Sequence, residues 1–253
     1  MNLFTTNYET LKENEKKRMY YNFSQNAQKS FSRYSDKTQI LAQLLFINRA
    51  FNSYNEAMLK VGKNMPLLIH DALNMLWDYL EEKCDSRDFQ AFCNGIDAVT
   101  LFLNTGEEIE TQENLNFWEK YSDEWEWDIS NSIILLNSFG ALFFQIYEQS
   151  IDWYSIGEDC LLGEINEIVG DYFENLYTNP TDGYKYHELE LRITQICESA
   201  TFTKIIACII KDMKEAINYE GKGIKEIARL REEYKKQFLF SSIECEKLAE
   251  YFR

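Results

Sequence analysis

The sequence predicts an all-α protein, and three features carry that prediction. Prolines number two and glycines ten in 253 residues, too few to supply the turns of an all-β chain. Long stretches rich in Leu, Glu, Lys, Ile and Phe run without a breaker, as helical proteins do. Within them apolar residues recur at three- and four-residue intervals, the period of one helical face. The expected architecture is a single globular multi-helix bundle of about nine helices, at least two thirds helix with essentially no sheet. The chain is long enough to bury a substantial core.

The elements follow in order. A helix is expected over residues 7–21, with Asn7 as cap and Glu9 and Glu13 near its positive end. Asp36 is expected to cap a long helix over 36–60, with Ile40, Leu41, Leu44, Leu45, Ile47, Phe51, Tyr54 and Met58 as its apolar stripe. Gly62 ends it. Asn64 and Pro66 open the next helix, whose buried face is Leu68, Leu73, Leu76, Trp77 and Leu80. Another starts at Asp85 or Ser86 and runs to 104, packing through Phe89, Phe92, Ile96, Val99, Phe102 and Leu103, and Gly106 stops it.

Residues 107–116 read as a loop, because like charges crowd them and no period is visible. A short helix over 117–125 precedes a strongly apolar one, capped by Asp128 or Ser130 and reaching 153. Gly157 and Glu158 lead into an amphipathic helix ending near 177. Asn179-Pro180-Thr181-Asp182-Gly183 is the clearest turn and the one plausible boundary. It separates a main bundle, residues 1–178, from C-terminal helices in 184–253 packed on it. Those helices are expected at 184–199, 201–219, 224–238 and 241–251.

Charge is distributed unevenly. Residues 101–180 hold seventeen acids and one base, Lys120, so this third carries the whole net charge of −16. Residues 1–100 have twelve acids and twelve bases, and residues 181–253 thirteen of each. Charge governs steering and partner choice rather than fold. An acidic surface repels phosphate, which argues against nucleic acid as partner and for a basic protein. The six cysteines form no Cys-x-x-Cys pair and follow no signal-like start, so reduced, mostly buried thiols in a cytoplasmic protein are expected. The apolar run 133–147 is interrupted by Asn137, Ser138, Gly140 and Gln145 and is too short to span a bilayer. No membrane partner is expected.

Within residues 39–80, the Arg49…Asn52-x-Tyr54 stretch and Leu76-Trp77-Asp78-x-Leu80 resemble the YjaG-type family of small all-helical bacterial proteins. Ser122-Asp123-Glu124-Trp125, leading into the apolar helix, resembles that family's acidic turn before its last long helix. The resemblance implies an all-helical fold and supplies no catalytic residue. In overall character the chain is also similar to the all-helical immunity proteins that bacteria pair with secreted toxins.

Candidate sites fall in the acidic third. Four acids, Glu164, Glu167, Asp171 and Glu174, share one helical face at i, i+3, i+7 and i+10. With a second acidic helix they could hold Mg²⁺ through oxygen ligands, as in the all-helical nucleotide pyrophosphohydrolases they loosely resemble. The only Glu-x-x-Asp available as the second motif is Glu82 to Asp85, upstream of the first. A solvated helix face is the plainer reading. Neither His70 nor His187 has a glutamate three residues before it, as a di-iron bundle would want. A zinc site would need more ligands, and no catalytic triad or phosphate loop stands out. No cofactor is expected.

The favoured partner-binding segment is Glu107, Glu108, Glu110, Glu113, Asp123, Glu124, Trp125, Glu126, Trp127 and Asp128. Trp125 and Trp127 are two residues apart and point apart on a helix. At least one is expected near the surface, where tryptophan ringed by acid makes a binding hot spot. The expected function is inhibition of a basic, nuclease-type toxin domain by binding, and the alternatives are a Mg²⁺-dependent nucleotide hydrolase or a YjaG-like protein of unknown role.

Overall fold

Helix α3, Asp36–Lys60, is the centre of the molecule. Every residue from Gln39 to Phe51 is buried, so the helix is covered on all sides and other helices must enclose it. The computed structural model describes residues 2–105, 108–125, 133–157, 160–174, 176 and 186–253. The side chains of 99–101, 103–105, 124, 125, 133, 134 and 186–189 are outside that description.

Around α3 stand α1 (Glu13–Tyr21), α2 (Phe23–Phe31), α4 (Leu67–Leu80), α5 (Ser86–Thr105), α6 (Gln112–Trp125) and α7 (Ile133–Glu148). They are followed by α8 (Leu161–Ile168), α9 (Tyr186–Glu198), α10 (Ala200–Asn218), α11 (Ile224–Tyr234) and α12 (Ser242–Leu248). Two 3-10 turns, Tyr8–Thr10 and Tyr154–Ile156, and a π turn, Val169–Phe173, complete the order. The fold is 75% helical, and no strand occurs among the described residues. The all-α class expected from sequence is the one observed.

The helices that touch α3 are α4, α7, α10, α11 and α12. Amphipathic α10 lays Phe202, Ile205, Ile206, Ile209 and Met213 into the core. Its start is fixed by Ser199, whose hydroxyl accepts the Phe202 N–H at 3.1 Å. Several polar residues of α3 are matched to polar groups facing them. Arg49 Nε donates to both Asp212 oxygens, at 2.9 and 2.8 Å, and Tyr234 Oη donates to Asp212 at 2.6 Å. Asn52 Nδ2 reaches the Tyr234 and Gln237 carbonyls at 2.8 and 2.7 Å. Ser53 Oγ accepts from Leu239 N and Phe240 N at 2.9 and 3.0 Å. Trp77 Nε1 donates to Asn48 Oδ1 at 2.9 Å and so ties α4 to the same helix.

Twelve α-helices occur among the described residues instead of about nine. The expected helix over 7–21 is broken: Asn7 caps only the 3-10 turn, accepting from Glu9 N, and extended Leu11 separates it from α1. The break places Tyr8 where its hydroxyl donates to the Cys197 carbonyl at 2.9 Å. Helix α2 was not anticipated, because its composition is polar, yet Phe23, Ala27 and Phe31 repeat every four residues and are buried. Ser35, not Asp36, caps α3, its hydroxyl accepting from Thr38 N. The segment 107–116 is not loop throughout. Thr111 Oγ1 accepts from Asn114 N at 3.2 Å and starts α6 at Gln112, with Glu113 in the favourable first turn. Helix α7 stops at Glu148, where Gln149 turns into the left-handed region (φ 53°). Trp153 is thereby freed to pack in the core against Phe31, ring centres 4.8 Å apart. The turn over 179–183 lies outside the described residues.

All six cysteines are free thiols, three buried and three half-buried. No single helix among the described residues is long and apolar enough to cross a membrane.

The Arg49–Asp212 pair gives two expectations. Arg49→Met leaves a carboxylate fully buried and unpaired, which costs about 3–5 kcal/mol in urea unfolding. Pairing it with Asp212→Leu restores most of that loss, since apolar replacement of a whole buried pair is close to neutral. An equal loss in single and double variants would show that the ion pair is not the cause. Burial lifts the Asp212 carboxyl from 3.8 to about 6, against the pull of Arg49 and Tyr234. The folded state then holds this proton more tightly than the unfolded chain, so this group's contribution to stability falls as pH rises from 3.8 to about 6. The melting temperature of the wild type relative to Asp212→Asn should fall across that window.

Candidate functional site

Helix α6 carries the surface that the charge pattern singles out. Its inner face is aromatic. Phe117 and Tyr121 pack on Phe92 of α5 with ring centres 5.4 and 6.4 Å apart, and half-buried Trp118 meets Phe102 at 5.4 Å. Gly95 makes that approach possible, because a Cβ there would lie 2.5 Å from the Phe117 ring. With the aromatic face committed inward, Glu113, Asn116, Glu119, Lys120 and Asp123 are left on the outside, all exposed. Glu108 and Glu110, just before the helix, are exposed as well.

Only one of these side chains is neutralised by its surroundings. Lys120 Nζ donates to Asp71 Oδ2 of α4 at 2.7 Å, and Tyr121 Oη donates to the same oxygen at 2.7 Å. Burial, with Asp71 alongside, pushes the Tyr121 phenol up to about 12, so it stays a donor. Glu108, Glu110, Glu113, Glu119 and Asp123 form no salt bridge among the described residues. Beside α6 a groove of about 500 Å³ runs between it, α4 and the start of α5. Asp71, Asp78, Asp88 and Glu113 line it, with Lys120 as the one cation among its described lining residues. Arg231 of α11 and Lys83 answer Asp78 from outside the groove.

The predicted segment is therefore only partly in view. Glu108, Glu110, Glu113 and Asp123 are exposed. Glu124 and Trp125 end α6, and their side chains lie outside the described residues, as do Glu107, Glu126, Trp127 and Asp128 altogether. Asp71, Asp78 and Asp88 were missed because they belong to a flank that is neutral overall. Their signal was present all the same: Asp71, Asn74 and Asp78 stand at i, i+3 and i+7 on one face of α4.

The second candidate, the acid row, is engaged by the protein's own side chains. Glu164 on α8 accepts a hydrogen bond from Tyr251 Oη. Glu167 and Asp171 converge instead on buried Arg192 of α9, whose Nη2 reaches them at 3.0 and 2.6 Å. The π turn at Val169–Phe173 changes the helical register between them. Glu174 only caps that turn, through its backbone N–H to the Val169 carbonyl. Burial raises the Glu167 carboxyl, and Arg192 opposes the rise. Among the described residues no group of three or more His, Cys, Asp or Glu side chains is placed to hold a metal. His70 packs edge-on against Phe51, ring centres 5.0 Å apart, and the His187 side chain is outside the described residues.

Gly170 is what lets Arg192 reach its acids, since a Cβ there would sit 2.8 Å from Nη2 and 2.9 Å from Ile196 Cδ1. Gly170→Ala should destabilise the fold by about 1–3 kcal/mol in urea unfolding, as overpacking does. Arg192→Leu in the same background should then lose little more, because the contact is already broken. Compared with known proteins, the chain matches no family model, no curated protein and no solved structure.

Proposed function

We propose that this protein acts by binding, as an immunity protein that neutralises a basic, nuclease-type bacterial toxin of the kind exchanged in contact-dependent growth inhibition. The observation that carries this reading is the row of exposed, unneutralised carboxylates on and before α6, Glu108, Glu110, Glu113, Glu119 and Asp123, beside an acid-lined groove. A nuclease presents cations to bind phosphate, and an inhibitor with a dense acidic face competes for those cations. Complementary fields also bring the two together fast, with rates of about 10⁸–10⁹ M⁻¹s⁻¹ at low salt. Neither a cofactor, nucleic acid nor a membrane enters this reading, and the cytoplasm is where such a toxin acts. The YjaG-type resemblance adds nothing about chemistry. Its Arg49, Asn52, Tyr54 and Trp77 all serve the core.

The hydrolase reading needs Glu164, Glu167 and Asp171 free to ligate Mg²⁺. Tyr251 and Arg192 already engage them.

The test starts from the product of the adjacent gene, where the toxin of an immunity pair is expected. Expressed alone it should arrest growth, and co-expression with this protein should restore it. In purified form the association rate should fall steeply with salt. Lysine at Glu110, Glu113 and Asp123 together should slow association about tenfold or more at low salt. The melting temperature should change little, because these are exposed positions. A triple variant that binds at the wild-type rate in low salt would place the interface elsewhere. An adjacent gene product that is not toxic, or a toxin that this protein fails to neutralise, would remove the immunity reading itself.

A further inference from the structure

Helix α7 has a face that nothing in the described structure covers. Its sequence, IILLNSFGALFFQIYE, is apolar nearly all round. Such a helix normally belongs in an interior. Leu135, Leu136, Phe139, Leu142, Phe143 and Ile146 are buried. On the opposite side Phe144 is 62% exposed and Tyr147 39%. Gly140, one turn before Phe144, is open enough that an added Cβ would meet nothing within 4 Å. Gly140, Phe144 and Tyr147 follow one another at i, i+4 and i+7. With Asn137 and Glu148 at its ends the strip is about 16 Å long, three helical turns.

The border of this strip is anionic. Helix α5 runs antiparallel beside it: Gln90 Nε2 donates to Tyr147 Oη at 3.0 Å, and Phe92 meets Phe143 at 5.4 Å. Farther along α5 stand exposed Asn94 and Asp97, and Glu148 and Asp152 are exposed where α7 ends. From Asp88 to the end of α5, and throughout α7, there is no Lys or Arg. We propose that the outward face of α7 is a docking site for one amphipathic helix of a basic protein. That helix sets its apolar side on Gly140, Phe144 and Tyr147 and its Lys or Arg side chains against the flanking acids. The proposal deepens the reading of this protein as a binder of a basic partner and rests on it. A second copy fits poorly, because it would bring the same acids against one another. An anionic lipid surface is repelled for the same reason.

The test uses the full chain and a synthetic fluorescent peptide, helical and amphipathic, with leucines on one side and lysines on the other. Its controls are the same peptide with glutamates for lysines and a scrambled version. Wild-type protein should bind the lysine peptide in a salt-sensitive manner and neither control. Gly140→Arg and Phe144→Ser lie on open surface, and both should keep the wild-type circular dichroism and melting temperature. Each should weaken peptide binding about tenfold or more. Equal binding by wild type and both variants overturns the proposal, and so does equal binding of the glutamate peptide. Sedimentation that shows a wild-type dimer dissolved by Phe144→Ser would give the face to a second copy and also overturn it. The same variants separate the two readings in the growth assay. If the α6 lysine variant loses protection while Gly140→Arg keeps it, the α7 site fails and the immunity reading stands. If Gly140→Arg abolishes peptide binding but the wild type protects against no toxin, the docking site stands without that reading.

Discussion

The fold depends on one buried charge, the Arg49 guanidinium inside α3. A cation with 5% of its surface exposed is tolerated only if its hydrogen bonds are filled. Asp212, Gln237 and the face of the Tyr234 ring, 5.0 Å from the guanidinium, do this together. Those partners come from α10, α11 and the segment after it, so satisfying Arg49 dictates where three pieces of chain lie. Burying the pair adds little net stability compared with apolar packing, whereas removing one partner alone is costly. Asn48, Asn52 and Ser53 repeat the device along the next turn of α3, and Trp77 extends it to α4.

That rigidity reaches the acidic surface. Helix α4, fastened to α3 through Trp77, presents Asp71 and Asp78, and Asp71 in turn holds Lys120 and Tyr121 of α6. The chain uses its cations in a consistent way. Arg49, Arg192 and Arg231 each bind two or more groups on other helices and act as internal cross-links. The flanks are electrically neutral because they hold as many bases as acids, and several of those bases sit in such links. The α6 region has no cations to spend apart from Lys120, and its carboxylates remain available to an outside partner. Field and contact are thereby divided between two surfaces. On the proposed reading, the acids of α6 would act at a distance and the apolar strip of α7 only after contact.

Much of this was legible in the sequence. The cores of α3, α4, α5 and α10 follow from their apolar spacing, and both ends of α3 and the start of α4 coincide with the expected positions. What was not legible has physical reasons. Helix α2 is built from Phe23, Ala27 and Phe31 set among polar residues, too sparse a stripe to stand out until α1 and the N-terminal segment cover it. The start of α6 is decided by the Thr111 cap, which outweighs crowding of like charges. The row of four acids follows from spacing on a regular helix, while the π turn at its C-terminal end is announced by no local pattern. Arg192, which claims two of them, lies 25 and 21 residues away in sequence. Long-range pairing of this kind leaves no periodic trace. The location of net charge, by contrast, needs no structure to read.

The separation between Arg49 and its carboxylate has a consequence for how the protein is made. Asp212 follows Arg49 by 163 residues. At about 5–20 residues per second, a ribosome needs roughly 10–30 s to deliver the second after the first. For that interval the central helix exists without the helices that enclose it on the C-terminal side. Ile40 to Phe51, apolar almost throughout, then has only the cover that α4 and α7 give. Nascent chains of this protein are therefore substrates for whatever holds apolar segments apart during translation, and a stalled chain ending before residue 212 would have no means of completing its own centre.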